Sequence, residues 1–485
     1  MLLIGLLLVP LFGALWLAFV HSLFLAKYVS MGCCVMILLI AGALGWEARE
    51  QGQITLMGGW FYLDALNLLI ILLTAFIALT ISIFSITYFK NELKQRLSKQ
   101  SLRFYHPLYQ FFLFTIFLLL TTNNLGILWV AMEGATLSTV LLVALYKTPA
   151  SLEAAWKYLI LCGVGLAQAL LGIILLYFAA EKIIDIQHAL FWTELQSSSS
   201  LLSPRITAIA FVFILVGYGT KVGFVPLHNW LPDAYGESVA PVLALLSGIL
   251  LNAAFYAILR CKIIVDGAVG PAFSNHLLMG FGLLNVLVAS FFLLRQRDIR
   301  RLFAYSSIEH IGLISFAFGL GTPLAIFAGL LHIVVHSLSK SAAFFGVGQV
   351  IQTENSSSLD QLRGLIHDYP LLGWGLFLSS LALLGVPPFA LFTSEFLILF
   401  TTIEHYPVLA FLLAVGLSIS FAAILYKVQR ILFTEKPTVL REKQAVSVVP
   451  MMLHLVLVLM LGFVIPMYLM GGANQITRLL IGMSA

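Results

Sequence analysis

Residues 206–227 read ITAIAFVFILVGYGTKVGFVPL, an apolar stretch in which Lys221 is the only charged residue. A run of about 20 predominantly apolar residues is long enough to cross the hydrocarbon core of a bilayer as a helix. A lysine at that depth costs about 2.5–3.5 kcal/mol on insertion scales, so it is rare unless the protein uses it. This stretch therefore predicts both a membrane-spanning helix and a functional residue within it.

The whole chain, like residues 206–227, is rich in apolar residues and poor in charged ones. Of its 485 residues, 61% are hydrophobic and 10% are charged, and the mean hydropathy is +1.03. So few charges do not cover the surface of a water-soluble globule of this size. The sequence contains about fourteen apolar runs long enough to span, and they lack the alternation typical of barrel strands. The predicted fold class is an all-α polytopic membrane protein with about fourteen transmembrane helices.

The basic residues between the predicted spans indicate an orientation. Two lysines lie within spans, and the other 24 of the 26 basic residues sort into alternating loops as 18 against six. The larger set is Lys27, Lys90, Lys94, Arg96, Lys99, Arg103, Lys147, Lys157, Arg295, Arg297, Arg300, Arg301, Arg363, Lys427, Arg430, Lys436, Arg441 and Lys443, and the smaller set is Arg49, Lys182, Arg205, Arg260, Lys262 and Arg478. The positive-inside rule then predicts that both termini lie on the outer side of the cytoplasmic (inner) membrane of a prokaryote.

Three further ionisable residues lie within apolar spans. Glu133 lies midway along the run 125–146, Lys340 lies in the run 326–350, and Glu395 lies in the run 371–400. Two acids and two bases at membrane depth are expensive to keep there. Together with Lys221 they predict a pathway for ions or protons.

Two of the charged spans contain residues that interrupt helices. Gly223 and Pro226 follow Lys221 and lead into the polar stretch HNWLPDA at residues 228–234. In the twelfth span Gly385, Pro387 and Pro388 precede Glu395. Paired breaks beside charges are typical of transport sites, because freed backbone groups need protein or water around them. We therefore predict discontinuous seventh and twelfth helices, although the prolines could instead only kink packed helices.

Histidines add titratable groups to these spans. His332, His336 and Lys340 are spaced i, i+4 and i+8, so they share one helical face and could form a proton wire. A single histidine there would more often be a hydrogen-bonded core residue. Lys221 and His228 are seven residues apart and would also share a face on a continuous helix. His228 could equally cap the cytoplasmic end of that helix.

Glu133 could control the charge of Lys221 if the two side chains face each other. A carboxylate within about 4–6 Å keeps a buried lysine protonated, and separating the pair lets desolvation remove the proton. The alternative is a static buried ion pair, which seldom stabilises a protein relative to apolar residues. Near the cytoplasmic end of the tenth span, Glu309 and His310 could form part of a half-channel, whereas the basic residues beside them follow from topology alone.

The same segments resemble a known family of membrane subunits. Residues 228–234, the stretch RLFAYSSIEH at 301–310 and the segment 385–395 are similar to the antiporter-like subunits of respiratory complex I, Mrp antiporters and membrane-bound hydrogenases. Within that family, the stretches YHPL (105–108), NNLG (123–126), SLEAAWKY (151–158) and SSIEH (306–310) most resemble the component F group of hydrogenase-4. The resemblance implies two inverted five-helix repeats. It divides the chain into an N-terminal three-helix segment (1–104), a first repeat (105–262), a second repeat (263–434) and a C-terminal helix (435–485).

The resemblance also implies roles for individual residues. It assigns proton transfer to Glu133, Lys221, His332, His336, Lys340 and Glu395. Many relatives carry a lysine or histidine in the eighth helix, but the matching stretch here offers Ser247 and Asn252 as central polar residues. Because neither side chain holds a charge, a relay between the half-channels would need water at that point.

These observations together predict a proton-translocating membrane subunit of a hydrogenase-4-like or complex I-like oxidoreductase. Its expected partners are other membrane subunits, soluble and metal-containing subunits, and the lipid bilayer, with no nucleic acid. We expect no cofactor, metal or redox centre in this chain, because Cys33, Cys34, Cys162 and Cys261 lack the spacing of a cluster or zinc site. The alternatives are a sodium/proton antiporter, the membrane half of an inorganic-carbon uptake complex driven by the proton gradient, and a non-pumping scaffold.

Overall fold

Helices make up nearly all of the chain in the computed structural model, which describes residues 1–435 and 446–482 apart from the side chains of residues 467–469. In chain order the α-helices are α1 (Leu2–Phe19), α2 (Leu23–Gln51), α3 (Ala65–Gln95), α4 (Lys99–Thr121), α5 (Leu125–Val143), α6 (Pro149–Ala180), α7 (Trp192–Ser197), α8 (Pro204–Val222), α9 (Trp230–Glu237), α10 (Ala240–Leu245), α11 (Leu251–Val269), α12 (Pro271–Arg295), α13 (Ile299–Leu320), α14 (Pro323–Glu354), α15 (Leu365–Asp368), α16 (Pro370–Leu383), α17 (Ala390–His405), α18 (Pro407–Phe433), α19 (Val449–Phe463) and α20 (Met467–Ile481). A π-turn over Leu246–Leu250 joins α10 and α11 into one continuous helix.

The number of membrane crossings agrees with the sequence prediction. Twelve helices of the described residues are long and apolar enough to cross a bilayer. The remaining two crossings are the interrupted pair α16 and α17 and the shorter apolar helix α19. The prediction of an all-α polytopic membrane protein is therefore confirmed. A short antiparallel hairpin of β1 (Ile54–Leu56) and β2 (Phe61–Leu63) between α2 and α3 was not predicted.

Helices α10, α11, α13 and α14 form the centre of the molecule. In the apolar windows of the helix from Ala240 to Val269 and of α13, all residues are buried, and in α14 89% are buried, whereas the figure for α2 is 22%. The outer helices expose large apolar side chains such as Trp16, Trp156 and Phe411, as a surface in contact with lipid requires. The polar residues Ser247, His336 and Lys340 therefore lie deep inside protein.

The predicted break in the seventh span lies directly after Lys221. Helix α8 ends at Val222, and Gly223 adopts a φ of 91°, a left-handed conformation that glycine takes without a steric penalty. Asn285 of α12 pairs with the freed backbone. Its Oδ1 atom accepts from the Val225 N–H at 2.7 Å, and its Nδ2 atom donates to the carbonyl of Gly223 at 3.3 Å. Protein groups therefore satisfy the interrupted helix, as a break at membrane depth requires.

The predicted break in the twelfth span is also present. Helix α16 ends at Leu383, and α17 begins at Ala390. Gly385, in the connection, has a φ of 59°, and a β-carbon built there would overlap the Glu395 carboxylate. The missing side chain of Gly385 thus lets the backbone of the break approach the acidic group.

Two basic residues assigned to an outer loop are in fact buried in a helix. Arg260 and Lys262 lie within α11, where Arg260 donates from Nη1 and Nη2 to the Asp64 carboxylate at 2.7 Å each and Lys262 pairs with Asp266. The loop assignment was wrong because the eighth span continues nine residues beyond its predicted end at residue 260. Removing the two residues changes the loop count from 18 against six to 18 against four. Lys436, Arg441 and Lys443 of the larger set lie outside the described residues.

The division into two inverted repeats stays a prediction. The predicted boundary between residues 104 and 105 lies within α4, and the boundary between residues 262 and 263 lies within α11. The nearest positions between helices are Ser98, which caps α4, and Gly270, which separates α11 from α12.

Candidate functional site

Lys221 is fully buried, and its ammonium contacts hydroxyl and aromatic groups. Its Nζ atom donates to the Thr136 hydroxyl of α5 at 2.9 Å and to the Tyr158 hydroxyl of α6. The ammonium lies 4.3 Å from the centroid of the Tyr158 ring and 5.8 Å from that of Trp230. Such groups stabilise a cation through lone pairs and ring electrons without neutralising it. The charge of Lys221 therefore depends on the surrounding electrostatics rather than on a fixed counterion.

Glu133, the predicted partner of Lys221, lies one helical turn before Thr136 on α5. No ion pair within 4.0 Å joins Glu133 to Lys221, and the Glu133 Oε2 atom is buried without a hydrogen-bond partner. The two charges still interact electrostatically over a longer distance. The structure therefore shows Glu133 and Lys221 apart. This is one of the two arrangements, close and separated, through which Glu133 could control the charge of Lys221.

A short hydrogen-bond chain connects Lys340 with the eighth helix. The Nζ atom of Lys340 donates to the Phe303 carbonyl of α13 at 3.0 Å, and the Ser307 hydroxyl donates to the same carbonyl at 3.0 Å. The Ser307 and Ser247 hydroxyl oxygens are 3.0 Å apart. Because the Ser307 hydrogen points to Phe303, Ser247 is the donor in this last contact. Ser247, predicted as a central polar residue, therefore lies one hydroxyl away from the carbonyl that binds Lys340.

The eighth helix is distorted where Ser247 lies. Ser247 and Gly248 belong to the π-turn, and the Gly248 carbonyl accepts from the Asn252 amide at 3.0 Å. The same amide nitrogen donates to the Ser337 hydroxyl of α14 at 2.6 Å. π-Turns within α-helices occur frequently at functional sites. The sequence analysis proposed Ser247 and Asn252 as central polar residues, but the sequence gave no sign of the π-turn.

Tyr235 lies near both Tyr158, which contacts Lys221, and Ser247. Its hydroxyl is buried, has no hydrogen-bond partner and faces Ser247. Tyrosine hydroxyls both donate and accept, so Tyr235 has the chemistry of a link between the two halves. The sequence reasoning did not identify this residue.

Helices α13, α14 and α17 bring a pair of histidines and a serine together. His310 Nδ1 of α13 lies 3.2 Å from His332 Nε2 of α14, and His332 Nδ1 lies 3.0 Å from the Ser394 hydroxyl of α17. The Ser394 hydroxyl donates to the Leu391 carbonyl at 2.9 Å. It therefore accepts from His332 Nδ1, so a neutral His332 carries its hydrogen on Nδ1 and offers Nε2 as an acceptor.

The predicted stripe of His332, His336 and Lys340 lies on the unbroken helix α14, and all three side chains are fully buried. The centroid of the His336 ring is 5.2 Å from that of His310 and 6.3 Å from that of His332. Neither nitrogen of His336 has a hydrogen-bond partner. His336 thus stands beside the histidine pair and one helical turn before Lys340.

Glu395 and Glu309 lie at a cavity of about 360 Å³ beside the histidine pair. The Glu395 Oε1 atom is 3.9 Å from His310 Nδ1. The buried Glu309 interacts electrostatically with Lys340, and its Oε1 atom has no hydrogen-bond partner. Glu309 and His310, predicted as parts of a half-channel, therefore line the same cavity as Glu395.

His228 lies apart from this group of residues. Because α8 ends at Val222, the expected common helical face of Lys221 and His228 does not form. The His228 ring packs against Phe292 and Tyr305, with both centroids at 6.2 Å, and neither of its nitrogens has a hydrogen-bond partner. The spacing argument for a direct link from Lys221 to His228 was therefore wrong, since it assumed a continuous helix.

Many polar atoms around these residues are buried without a protein partner. Polar groups inside proteins are almost always hydrogen-bonded to protein or to water, so such atoms indicate positions for internal water. They include Glu133 Oε2, the Tyr235 hydroxyl, Asn252 Oδ1, the hydroxyls of Ser306, Ser339 and Ser341, Glu309 Oε1 and both nitrogens of His336.

The sequence reasoning found the titratable groups but missed the hydroxyls that connect them. The missed residues are Thr136, Tyr158, Tyr235, Ser307 and Ser394. Thr136 follows Glu133 by three residues and so shares its helical face, which is a signal that the sequence contains. Tyr158 and Ser394 are hydroxyls on largely apolar helices, where core packing is the usual role, and the positions of Tyr235 and Ser307 depend on how the helices pack.

The amino-acid sequence of this chain is similar to those of known membrane proteins. Residues 122–421 match the family described as NADH:quinone oxidoreductase/Mrp antiporter, TM, and this range includes every predicted site residue. The chain is 48% identical over 411 residues to the hydrogenase-4 component F homolog of Methylacidiphilum infernorum, covering 84% of this chain and 86% of that protein.

Two solved structures have a similar fold. A chain of the archaeal membrane-bound sulfane sulfur reductase superimposes with a TM-score of 0.88 at 23% identity, covering 99% of this chain and 97% of the other. A chain of the Mrp complex from Dietzia sp. DQ12-45-1b superimposes with a TM-score of 0.84 at 18% identity, covering 100% and 99%.

Proposed function

Because the chain belongs to the NADH:quinone oxidoreductase/Mrp antiporter membrane family, we propose that it translocates protons as a membrane subunit of a hydrogenase-4-like or complex I-like oxidoreductase. One observation carries this proposal. Lys221 and Lys340 are fully buried, and neither forms an ion pair within 4.0 Å among the described residues. An unpaired ammonium inside protein loses its proton more readily than one with a fixed counterion, because desolvation opposes the charge. Two such lysines are suited to taking up and releasing protons.

The first half of the pathway loads protons at Lys221. In the separated state seen here the ammonium is held by the hydroxyls of Thr136 and Tyr158. Approach of the Glu133 carboxylate would stabilise the protonated lysine, and its withdrawal would favour release. The distance between Glu133 and Lys221 therefore acts as the gate. Glu133 shares a helical face with Thr136, so a modest rotation of α5 would change that distance.

The centre of the pathway passes the proton through hydroxyl groups. Ser247 and Ser307 are in hydrogen-bond contact, and Ser307 and Lys340 both donate to the Phe303 carbonyl. Hydroxyls both donate and accept, so they can relay a proton without holding a charge. Because the Phe303 carbonyl only accepts hydrogen bonds, internal water would carry the proton from Ser307 to Lys340, and further water near Asn252 and the Tyr235 hydroxyl would complete the connection. This arrangement supplies the link that a charged residue in the eighth helix provides in many relatives.

The second half delivers protons towards Glu395. From Lys340 the proton reaches His336, then the pair His310 and His332, and then the carboxylate 3.9 Å from His310 Nδ1. Imidazoles suit this role because each ring accepts at one nitrogen and donates at the other. Glu309 lines the same cavity and stabilises charge on Lys340. His228 would lie at the cytoplasmic side of the break, apart from this proton pathway.

The partners and the orientation belong to the same proposal. Other membrane subunits would contact the exposed apolar faces, and soluble subunits with nickel–iron or iron–sulfur centres would carry out the electron transfer. The basic loops support a cytoplasmic position for the larger set and an outer position for both termini, in the inner membrane of a prokaryote.

The experiment isolates the complex through a tag on this chain and reconstitutes it into liposomes that contain a pH-sensitive dye. A potassium gradient with valinomycin drives proton entry, so the natural electron donor is not needed. We expect Lys221→Ala and Glu133→Ala each to abolish proton movement while the complex stays assembled. Lys182→Ala, which removes an exposed lysine outside the spans, should leave it unchanged. Normal proton movement in either of the first two variants would contradict the assignment.

The same preparation separates the alternative functions. Proton movement that requires sodium on the opposite side would indicate an antiporter. Mass spectrometry of the purified complex would reveal hydrogenase-type subunits or the large zinc-binding partner expected for carbon uptake. If neutralising each of the four buried charges at Glu133, Lys221, Lys340 and Glu395 has no effect, the chain is a scaffold.

A further inference from the structure

Three atoms with the chemistry of metal ligands lie close together beside the cavity that Glu309 and Glu395 line. They are His310 Nδ1 from α13, His332 Nε2 from α14 and Glu395 Oε1 from α17, and all lie within 4.8 Å of one another. The two nitrogens are 3.2 Å apart, and His310 Nδ1 is 3.9 Å from Glu395 Oε1. The sequence does not predict this cluster, because His310 and Glu395 are 85 residues apart in the chain.

The spacing of these atoms fits a tetrahedral ion. Zinc binds imidazole nitrogen and carboxylate oxygen at about 2.0–2.2 Å, which places neighbouring ligands of a tetrahedron about 3.3 Å apart. The nitrogen pair already has this separation. A small rotation of the Glu395 side chain would bring its oxygen to the same distance. Two histidines and one carboxylate with a fourth open position form a ligand set that zinc uses elsewhere.

The groups behind the two histidines leave the correct nitrogens free. Ser394 accepts from His332 Nδ1, so the lone pair of a neutral His332 is on Nε2, the atom that faces the cluster. The Nδ1 atom of His310 lies 3.2 Å from His332 Nε2, and the backbone of Leu383 lies near the His310 ring. Outer hydrogen bonds of this kind orient histidine ligands in metal sites.

The cavity provides room and suitable charge. His310 and Glu395 line it, and it extends to the surface of the chain beside Phe396 and Phe421. Glu309 contributes a second carboxyl group to the lining. A divalent cation at the cluster would therefore have the carboxyl groups of Glu309 and Glu395 in the same cavity.

We infer that His310, His332 and Glu395 form a Zn²⁺ site, and that zinc bound there blocks the second half of the proton pathway. Zinc takes the lone pairs of His310 Nδ1, His332 Nε2 and a Glu395 oxygen, and the proton held between the two histidines leaves to solvent. The ion then occupies the nitrogens between which the proton would move. The blocking effect rests on the proposed function, whereas the binding site rests on the geometry alone.

Binding is tested on the purified complex with Zn²⁺ as the only added ligand. Equilibrium titration should show one tight site for each copy of this chain, and X-ray absorption should show two imidazole nitrogens and oxygen at about 2.0–2.2 Å. We expect His332→Gln to lower the affinity by more than about 100-fold, and Ser394→Ala to lower it by about 10–100-fold through loss of ligand orientation.

A matched control removes another buried imidazole. His454 of α19 bonds to Thr80 and to the Leu338 carbonyl, away from the cluster. His454→Gln should therefore keep the affinity of the wild-type complex. Size-exclusion profiles of all variants report whether the complex is intact, and Ser394→Ala keeps all three ligands if His332→Gln fails to assemble.

Blocking is tested separately in the reconstituted liposomes. Micromolar Zn²⁺ should stop the proton movement of the wild type, and a chelator should restore it. Absence of a tight site, a site with six oxygen ligands, or unchanged affinity in both His332→Gln and Ser394→Ala overturns the metal site, whatever the proton measurements show. Tight binding without inhibition supports the site and overturns the blocking effect. Loss of proton movement in Lys221→Ala is independent of both results.

Discussion

The Val225 backbone N–H donates to the Asn285 Oδ1 atom at 2.7 Å, so a side chain of α12 pairs with the backbone freed by the break in α8. We predict that Asn285→Leu leaves backbone groups at the break unpaired, which costs about 1–3 kcal/mol for each buried group. Because Lys221 lies directly before the break, its position should be affected as well. Thermal unfolding of the purified complex should show a lower midpoint, and proton movement should fall.

A control for this prediction removes a buried hydroxyl that bonds only within its own helix. Thr207 donates to the Ser203 carbonyl of α8 at 2.9 Å, so Thr207→Val keeps the break intact. The two variants should differ clearly in unfolding midpoint. Equal midpoints would mean that Asn285 does not support the break.

A second prediction concerns the Tyr158 hydroxyl, which accepts a hydrogen bond from the Lys221 ammonium. Tyr158→Phe removes one acceptor of the Lys221 ammonium and keeps the ring under it. A hydrogen bond to a charged group is worth about 1.5–3 kcal/mol, so we expect proton movement to fall at least about tenfold. The control is Tyr218→Phe, since the buried Tyr218 hydroxyl of α8 has no hydrogen-bond partner. A Tyr158→Phe variant as active as Tyr218→Phe would remove Tyr158 from the pathway.

The sequence predicted the features that depend on local properties. Apolar length identifies a span without knowledge of its neighbours, and glycine closely followed by proline, as at Gly223 and Pro226 or at Gly385 and Pro387, favours a break. The spacing of His332, His336 and Lys340 also needs only the helical repeat. For these reasons the fourteen crossings, both breaks and the stripe on α14 could be read from the chain.

The remaining features depend on which helices pack together. The contact between Ser247 and Ser307 joins residues 60 apart, and that between Lys221 and Tyr158 joins residues 63 apart. A hydroxyl on an apolar helix has no pattern that reveals its partner. Arg260 was misplaced for the same reason, because its ion pair with Asp64 bridges 196 residues and allows a charge to lie inside a span.

The contact between Ser247 and Ser307 leads to a prediction of non-additivity. Each of Ser247→Ala and Ser307→Ala interrupts the same hydrogen-bond chain to Lys340, so each should lower proton movement about tenfold. The double variant should be about as impaired as either single one, since both changes remove one shared link. Ser315→Ala is the control, because the Ser315 hydroxyl donates to the Leu278 carbonyl away from this chain. Independent, multiplying effects would show that the two serines act on separate routes.

Gly385 connects the backbone of the second break with the position of Glu395. We predict that Gly385→Ala displaces the Glu395 carboxylate, because the added β-carbon would overlap it, and the left-handed backbone adds about 1–2 kcal/mol of strain. Proton movement should fall at least about tenfold. Gly482→Ala separates the two causes, since Gly482 has a left-handed backbone with a φ of 74° and open space around its missing side chain. That control carries the backbone strain alone, so it should lower the unfolding midpoint and leave proton movement unchanged. Equal losses of proton movement in the two variants would mean that strain, and not the displaced carboxylate, accounts for the effect.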